Sequence, residues 1–374
     1  MDLDEFRGAL DAWLDDNHDQ LRHAGVGTLD GQMEQLSKVK RLTYDAGWMR
    51  WGWPEGVGGL GGSPLLRAYL GEALTWRALV EPGLYSMTEV LAPTMIGYAR
   101  SDLAARMVPR LLRGDETWCQ GFSEPGTGSN LASLACRATA GTEGWRVTGQ
   151  KVWTSLAQYA DRCVLLTRTG EPGSAHRGIT ALFVDMDSPG ITVRPIETMH
   201  GAPEFSEVFF DDVAVPFDRT LGQEGEGWAV AMDLLPYERS TALWHRAAHL
   251  RRRFQDLLDA APEGALGATE VGEAIQTLYA FRARSRATQH RLDAAERLGP
   301  ETSIDKVLLA TAEQAVYDLV VDGLPGAVTI GDDPISERWR TGFLYSRAAT
   351  IYGGTAEIQR NIIARRLLDL GADR

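Results

Sequence analysis

Trp118-Cys119-Gln120-Gly121-Phe122-Ser123-Glu124-Pro125-Gly126-Thr127-Gly128-Ser129-Asn130 opens the stretch whose reading decides the fold, and Gly149-Gln150-Lys151-Val152-Trp153-Thr154-Ser155 closes it. The first half is a short strand-like run that breaks into a loop of Gly, Ser, Thr and Pro. Such a loop presents several backbone N–H groups and hydroxyls together, which lets backbone approach a polar or phosphorylated ligand closely. The second half reads as a strand over Trp145–Thr148, a turn at Gly149-Gln150, and a second strand carrying Trp153 between small polar residues. A large flat ring beside hydroxyls suits an aromatic cofactor with polar edges.

On the N-terminal side the hydrophobic period is helical. Met33, Leu36, Val39 and Leu42 recur at helix spacing, and Ser63-Pro64 starts a helix with an N-cap and a proline at the first position. Helices are expected at Asp4–Leu14, Gln32–Ala46, Leu65–Leu79 and Asp102–Leu112. The period then shortens. Strands are expected at Cys136–Thr139, Trp145–Thr148, Cys163–Thr169, Ile179–Val184, Ile191–Pro195 and Val208–Phe210, with turn residues such as Glu171-Pro172-Gly173 between them. No helical stretch interrupts these strands, so they predict an antiparallel β domain. The helical period returns after Gly222–Gly227 and holds to the end. The parts are a helical domain (1–117), a central β domain (118–220) and a C-terminal helical region (221–374), an α+β chain.

The 374 residues are 44% hydrophobic, enough for a large core, and the net charge of −13 argues against general nucleic-acid binding. No apolar run approaches the ~20 residues that span a bilayer. The acidic N-terminus does not read as a targeting segment, and Cys119, Cys136 and Cys163 fit reduced thiols, so a cytoplasmic location is expected. Three other chemistries are set aside. Gly121-Phe122-Ser123-Glu124-Pro125 ends in proline where a nucleophile elbow needs glycine. His245 and His249 have a metal-pair spacing without a third ligand nearby, and read as structural. Gly56–Gly62 lacks the Lys-Ser or Lys-Thr of a phosphate-binding loop.

Cys119–Asn130 resembles the signature of acyl-CoA dehydrogenases, and so does Ile351-Tyr352-Gly353-Gly354-Thr355-Ala356-Glu357-Ile358-Gln359-Arg360. The loop Gly52–Gly61 and the run Gly149–Trp153 are similar too, and the likeness extends over essentially the whole chain. Without it, the residues alone support a three-part helical–β–helical protein with a polar-aromatic ligand site. The resemblance implies FAD bound between the β domain and a C-terminal four-helix bundle. It implies that Ser123 bonds the flavin edge, with Phe122 backbone nearby. Gly128 and Ser129 match contacts to the FAD pyrophosphate or to CoA. Trp153 matches the indole packed on the flavin, with Thr154 beside it, and Ser155 a hydroxyl near its reactive edge. Thr355, also the expected N-cap of the last helix, and Glu357 match positions near the FAD. In that last helix Ile358, Ile362, Leu367 and Leu370 are expected to face a core.

The implied reaction removes an α-proton from an acyl-CoA while a hydride leaves the β-carbon, giving the trans-2-enoyl thioester, and it needs a carboxylate base. Many relatives carry that base just after the tyrosine of the C-terminal signature, where this chain has Gly353. A subset carries it on the first long helix of the C-terminal bundle, where Asp233–Ser240 supplies Glu238, expected as the base. Arg239 and Ser129 are expected at the substrate, with Gly353 holding the thioester carbonyl through its N–H. Electrons are expected to pass to an electron-transfer flavoprotein.

The chain also departs from the family pattern. In the family pattern an Arg-x-x-Phe-Gly segment carries an arginine that reaches a neighbouring subunit's FAD; it is absent from Leu257–Ala274, and a Gly-Gly-x-Gly element is also missing, with Val320–Gly326 standing near its place. Both normally act across subunits, so a homo- or hetero-oligomer, dimer or tetramer, is expected. Two rival functions follow: a flavin monooxygenase or N-hydroxylase on the same fold, and one half of a heteromer that shares its FAD site with a different chain.

Overall fold

A computed structural model describes residues 1–22, 27–171 and 173–371, so Pro172, in the turn expected at Glu171–Gly173, lies outside the described residues. The N-terminal helices are α1 (Leu3–Asp16), α2 (His18–Leu21), α3 (Leu29–Asp45), α4 (Pro64–Trp76), α5 (Pro82–Tyr98) and α6 (Ser101–Arg113). Their starts follow from side-chain caps. Asp2 accepts from the Glu5 amide at 2.9 Å, Thr28 from Gly31 at 3.1 Å and Ser63 from Leu65 at 3.0 Å, each filling one of the unpaired first-turn donors. Gly114 closes α6 at φ 79°, the left-handed conformation that favours glycine. Helix α5 went unread in the sequence, because Pro93 and the flanking glycines mask its period.

The β domain holds β1 (Trp118–Gly121), β2 (Arg137–Ala140), β3 (Gly144–Ser155), β4 (Arg162–Arg168), β5 (Ile179–Asp185), β6 (Ile191–Ile196), β7 (Phe205–Pro216) and β8 (Thr220–Leu221). They form one eight-stranded sheet in the order β6-β7-β3-β2-β4-β5-β8, with β1 paired to β4. The sheet is mostly antiparallel, but β1 and β2 both run parallel to β4. The expected turn at Gly149-Gln150 is absent. Gly144–Ser155 is one strand along β7, and the irregularity appears as register shifts after Val147 and after Lys151. Strand β4 is buried on both faces: Val164 and Leu166 enter the core shared with the N-terminal helices, and Cys163 and Leu165 the core on the other face.

The C-terminal helices are α7 (Gly227–Glu238), α8 (Thr241–Ala260), α9 (Ala268–Asp293), α10 (Thr302–Gly323), α11 (Pro334–Ser346) and α12 (Ala356–Arg366). Leu250, Phe281, Val316 and Trp339 bring α8, α9, α10 and α11 into a third core, which is the four-helix bundle. Helix α7 does not continue into it. Val230, Ala231 and Leu234 join the N-terminal core, and the chain breaks at Arg239-Ser240. Glu238 is therefore the last residue of a separate short helix, a correction to the single long helix expected. Pro236 two residues earlier removes a helical donor and sits where the helix is about to stop. Thr355 caps α12 as expected, accepting from the Ile358 amide at 3.3 Å. Ile358 and Ile362 are half-buried, but α12 ends at Arg366, leaving Leu367 and Leu370 exposed instead of facing a core.

Candidate active site

One wall of the site is built locally, from the loop after β1 and the strand β3. Lys151 is fully buried, and its ammonium donates to the Phe122 carbonyl at 3.1 Å and to Glu124 Oε1 at 2.8 Å. Glu124 also accepts from the amides of Ala135 at 2.6 Å and Cys136 at 2.9 Å. The Val152 amide donates to the Ser123 carbonyl at 2.9 Å, and Glu124 and Thr127 exchange backbone bonds at 3.0 and 2.9 Å. A buried charge pair with this many satisfied bonds fixes the loop on the strand. Phe122 is buried and Ser123 half-buried at its start, while Gly128 and Ser129 lie exposed farther along.

Trp153 stands in the register shift between Lys151 and Thr154, at φ 58°, with 58% of its surface exposed. Its ring meets Phe205 edge-on, the centroids 6.1 Å apart. A left-handed backbone at a bulky residue is uncommon, and here it accompanies an indole turned out of the core. Around this wall Gln120 Oε1, Thr127 Oγ1 and Thr154 Oγ1 are buried with no protein hydrogen-bond partner. Buried polar atoms are normally bonded. A displayed aromatic ring beside unsatisfied polar atoms fits a flat cofactor with polar edges, as a flavin has.

The second part of the site joins distant segments. Gly353 has φ 61°, and a Cβ built on it would stand 2.9 Å from Glu238 Oε1 and 3.1 Å from Lys306 Cε. The Glu238 carboxylate thus occupies the space beside residue 353 that a side chain there would enter. Arg239 Nε donates to the Gly353 carbonyl at 3.2 Å, and Gln359 Nε2 donates to the same oxygen at 2.9 Å. The amides of Gly353 and Gly354 donate to no acceptor among the described residues. Lys306 donates to the Ala349 carbonyl and lies 4.2 Å over the Tyr352 ring. Desolvation lowers the Lys306 pKa to about 8, opposed by the negative charge of Glu238, and desolvation lowers Arg239 with the same opposition.

A cavity of about 130 Å³ connects the two parts. Ser155 and Gln120 line it from the β domain, Glu238, Arg239 and Lys306 from the helices, and Glu204 from the segment before β7. A larger cleft, about 790 Å³, runs along α3 between Asp30 and Leu42 and shares no residue with this cavity. The structure therefore brings Ser155, Glu238 and Arg239 to one cavity, with Gly353 against Glu238. Trp153, Thr154, Phe122 and Ser123 belong to the adjoining β-domain wall. Gly128, Ser129, Thr355 and Glu357 do not line the cavity. Sequence reasoning missed Lys306 and Glu204. Lys306 had a visible signal, being a lysine on the buried stripe of α10 with Ser303, Leu309 and Ala310. Glu204 sits in an irregular segment with no period to betray its direction.

His245 and His249 do not form a site. The His245 ring is fully buried, facing the Ala68 carbonyl at 3.2 Å, and His249 lies 3.7 Å from Glu81. Among the described residues, no helix is long and apolar enough to cross a membrane.

The acyl-CoA dehydrogenase middle-domain family matches residues 119–213, and the C-terminal-domain family matches residues 225–368. Acyl-CoA dehydrogenase IpdE1 of Mycobacterium tuberculosis (strain ATCC 25618 / H37Rv) is 36% identical over 382 residues, covering 99% of this chain and 98% of that relative. Among solved structures, the Tcur3481-Tcur3483 steroid ACAD superposes with a TM-score of 0.85 at 25% identity, covering 100% of this chain and 98% of that one. The ChsE4-ChsE5 complex from Mycobacterium tuberculosis superposes with a TM-score of 0.78 at 26% identity, covering 99% and 98%. The three-part fold, the joined cavity and a relative of matching length together place the chain in the acyl-CoA dehydrogenase family of oxidoreductases.

Proposed function

We propose that the chain dehydrogenates the acyl group of a CoA thioester between its α- and β-carbons, giving the trans-2-enoyl-CoA, with Glu238 as the base. The observation that carries this is the Glu238 carboxylate at 2.9 Å from the Cβ position of Gly353, lining the cavity that Ser155 also lines. Among the described residues Glu238 has neither a hydrogen bond nor an ion pair, so its oxygens are open to a substrate proton. Arg239 and Gln359 hold the Gly353 carbonyl, which fixes the loop and leaves the adjacent amides free to bond a thioester oxygen as negative charge develops there. Lys306 and Arg239 keep positive charge beside the carboxylate.

The family implies a flavin, and we assign FAD, held by Trp153, Thr154, Ser155, Ser123 and the Phe122 backbone, with Gly128, Ser129, Thr355 and Glu357 toward its diphosphate and adenine half. The chemistry a bound flavin supplies is acceptance of two electrons. Electrons are assigned to an electron-transfer flavoprotein. The missing cross-subunit arginine and the exposed Ile330, Ile335, Leu368 and Leu370 support an oligomer. The ChsE4-ChsE5 neighbour, a complex of two differently named chains, supports a different chain as the partner, and the steroid ACAD neighbour supports a bulky ring-bearing acyl group.

The test is Glu238→Gln, which should keep bound flavin and lose at least 10²-fold in turnover, the usual contribution of a positioned base. Near-normal turnover in that variant would move the base elsewhere. Anaerobic bleaching of the flavin across a panel of acyl-CoAs checks the reaction class, since a monooxygenase would instead consume oxygen with a reduced nicotinamide and show no such bleaching.

A further inference from the structure

Glu204 is a carboxyl in the same cavity that the dehydrogenation does not use. Its backbone is fixed on both sides. The Leu156 amide donates to the Glu204 carbonyl at 2.8 Å, Gln158 Nε2 donates to the Pro203 carbonyl at 2.5 Å, and Gln158 Oε1 accepts from Ser206 at 2.9 Å. Opposite it stands Gly83, whose Cβ position is 3.8 Å from Glu204 Oε1, so the side chain has room without leaving the wall. The carboxyl makes no hydrogen bond or ion pair among the described residues. Arg246 is the cation whose charge acts on it, but its Nε and Nη2 are both committed to Glu313. Glu81 and Tyr345 are the other titratable groups that face it. Burial pushes the Glu204 pKa up to about 7, with Arg246 pulling it down and Glu81 adding to the rise.

A carboxyl in this position is costly beside an alkyl chain. Filling the cavity with methylene groups would remove water from Glu204 and supply no partner, and an unpaired buried polar group costs about 1–3 kcal/mol. An acyl group bearing an oxygen at the right distance removes that cost. The protonated carboxyl can donate to a keto oxygen, and either form can accept from a hydroxyl.

We infer that Glu204 recognises a hydroxyl or keto oxygen carried on the acyl group away from the thioester, and so selects oxygenated acyl-CoA substrates over plain alkyl ones. This rests on the reading of the cavity as the acyl site. Tyr345 and Tyr352 share the polar lining; the Tyr352 hydroxyl donates to Glu313 at 3.3 Å, whereas the Glu204 carboxyl makes no hydrogen bond among the described residues.

The experiment is calorimetric titration of the holoenzyme with three non-oxidisable CoA thioethers: hexyl-, 5-hydroxyhexyl- and 5-oxohexyl-CoA. The oxygenated pair should bind about tenfold or more tighter than hexyl-CoA, one net hydrogen bond's worth. In Glu204→Leu the ratio should fall toward one, and Glu204→Gln should retain part of it, with thermal melting confirming that both variants fold. Raising the pH above 8 should erase the keto preference, which needs the proton, and spare the hydroxyl preference. A wild-type ratio near one, or a ratio unchanged in Glu204→Leu, overturns the assignment while leaving the acyl site standing. If no thioether binds, the acyl-site reading itself fails and the assignment with it.

Discussion

The two halves of the candidate site are built in opposite ways. The wall around Trp153 is held by groups close in sequence, with Lys151 and Glu124 27 positions apart. The junction at Glu238 is held by groups from far apart, with Arg239 and Gly353 114 positions apart. The wall carries its own hydrogen bonds and would keep its shape if the helices moved a little. The junction exists only while α7, α10 and the loop before α12 remain in register. On the proposed reading, a flavin would rest on locally held structure, and the proton chemistry on long-range packing that can be retuned without disturbing it.

The largest expected effect tests the self-sufficiency of the wall. Lys151→Met removes the cation from a fully buried pair and leaves Glu124 with only the amides of Ala135 and Cys136. Stranding one partner of a buried pair costs about 3–5 kcal/mol. Chemical denaturation should show a loss of that size, together with weaker flavin retention. A loss below about 1 kcal/mol would mean that the two amides alone hold Glu124, and the wall would depend on its surroundings as the junction does.

The same contrast explains what the sequence revealed. The Cys119–Asn130 and Gly149–Ser155 runs announced the wall, since Gly, Ser and Thr clusters around one tryptophan have few structural uses. Even there, Gly149-Gln150 read as a turn although the strand runs through it, because pairing with Phe209 and Phe210 on β7 overrides the local turn preference. Glu238 was legible only by resemblance, and the end of its helix at Arg239 was not, because Pro236 reads equally as a kink or as a stop. Glu204 gave no signal at all. Its proposed role depends on which way an irregular segment faces, and that is set by bonds to Gln158, 45 positions before Pro203 in the sequence.

A smaller effect tests the junction. Gly353→Ala places a methyl group 2.9 Å from Glu238 Oε1 and 3.1 Å from Lys306 Cε. The carboxylate end is flexible and can swing away, but φ 61° is left-handed, where alanine costs about 1–2 kcal/mol, so the fold should survive with a melting temperature a few degrees below that of the parent. A displacement of about an ångström at a reacting group costs on the order of 10²-fold in rate. Steady-state kinetics should show that loss mainly in kcat, with flavin content unchanged. If kcat is preserved, the space beside residue 353 is not where Glu238 works.

The smallest effect comes from the packing behind the junction. His245 on α8 lies against Gly71 on α4, where a Cβ would stand 2.1 Å from Nε2, so the bare helix face and the ring fit each other. Burial lowers the His245 pKa from 6.5 to about 3. With the folded value depressed, the unfolded chain takes up a proton between pH 6.5 and 3 that the folded chain refuses. Stability is therefore full above pH 6.5 and falls as the pH drops through that window. At pH 5 the loss from this one group is about 2 kcal/mol, at 1.36 kcal/mol per pH unit below the unfolded value. Unfolding of His245→Asn measured at pH 7 and pH 5 should show a pH difference smaller than that of the parent by about this amount. An equal difference would assign the acid sensitivity to other groups, His249 first among them, because its pKa is also lowered by burial and by Arg253.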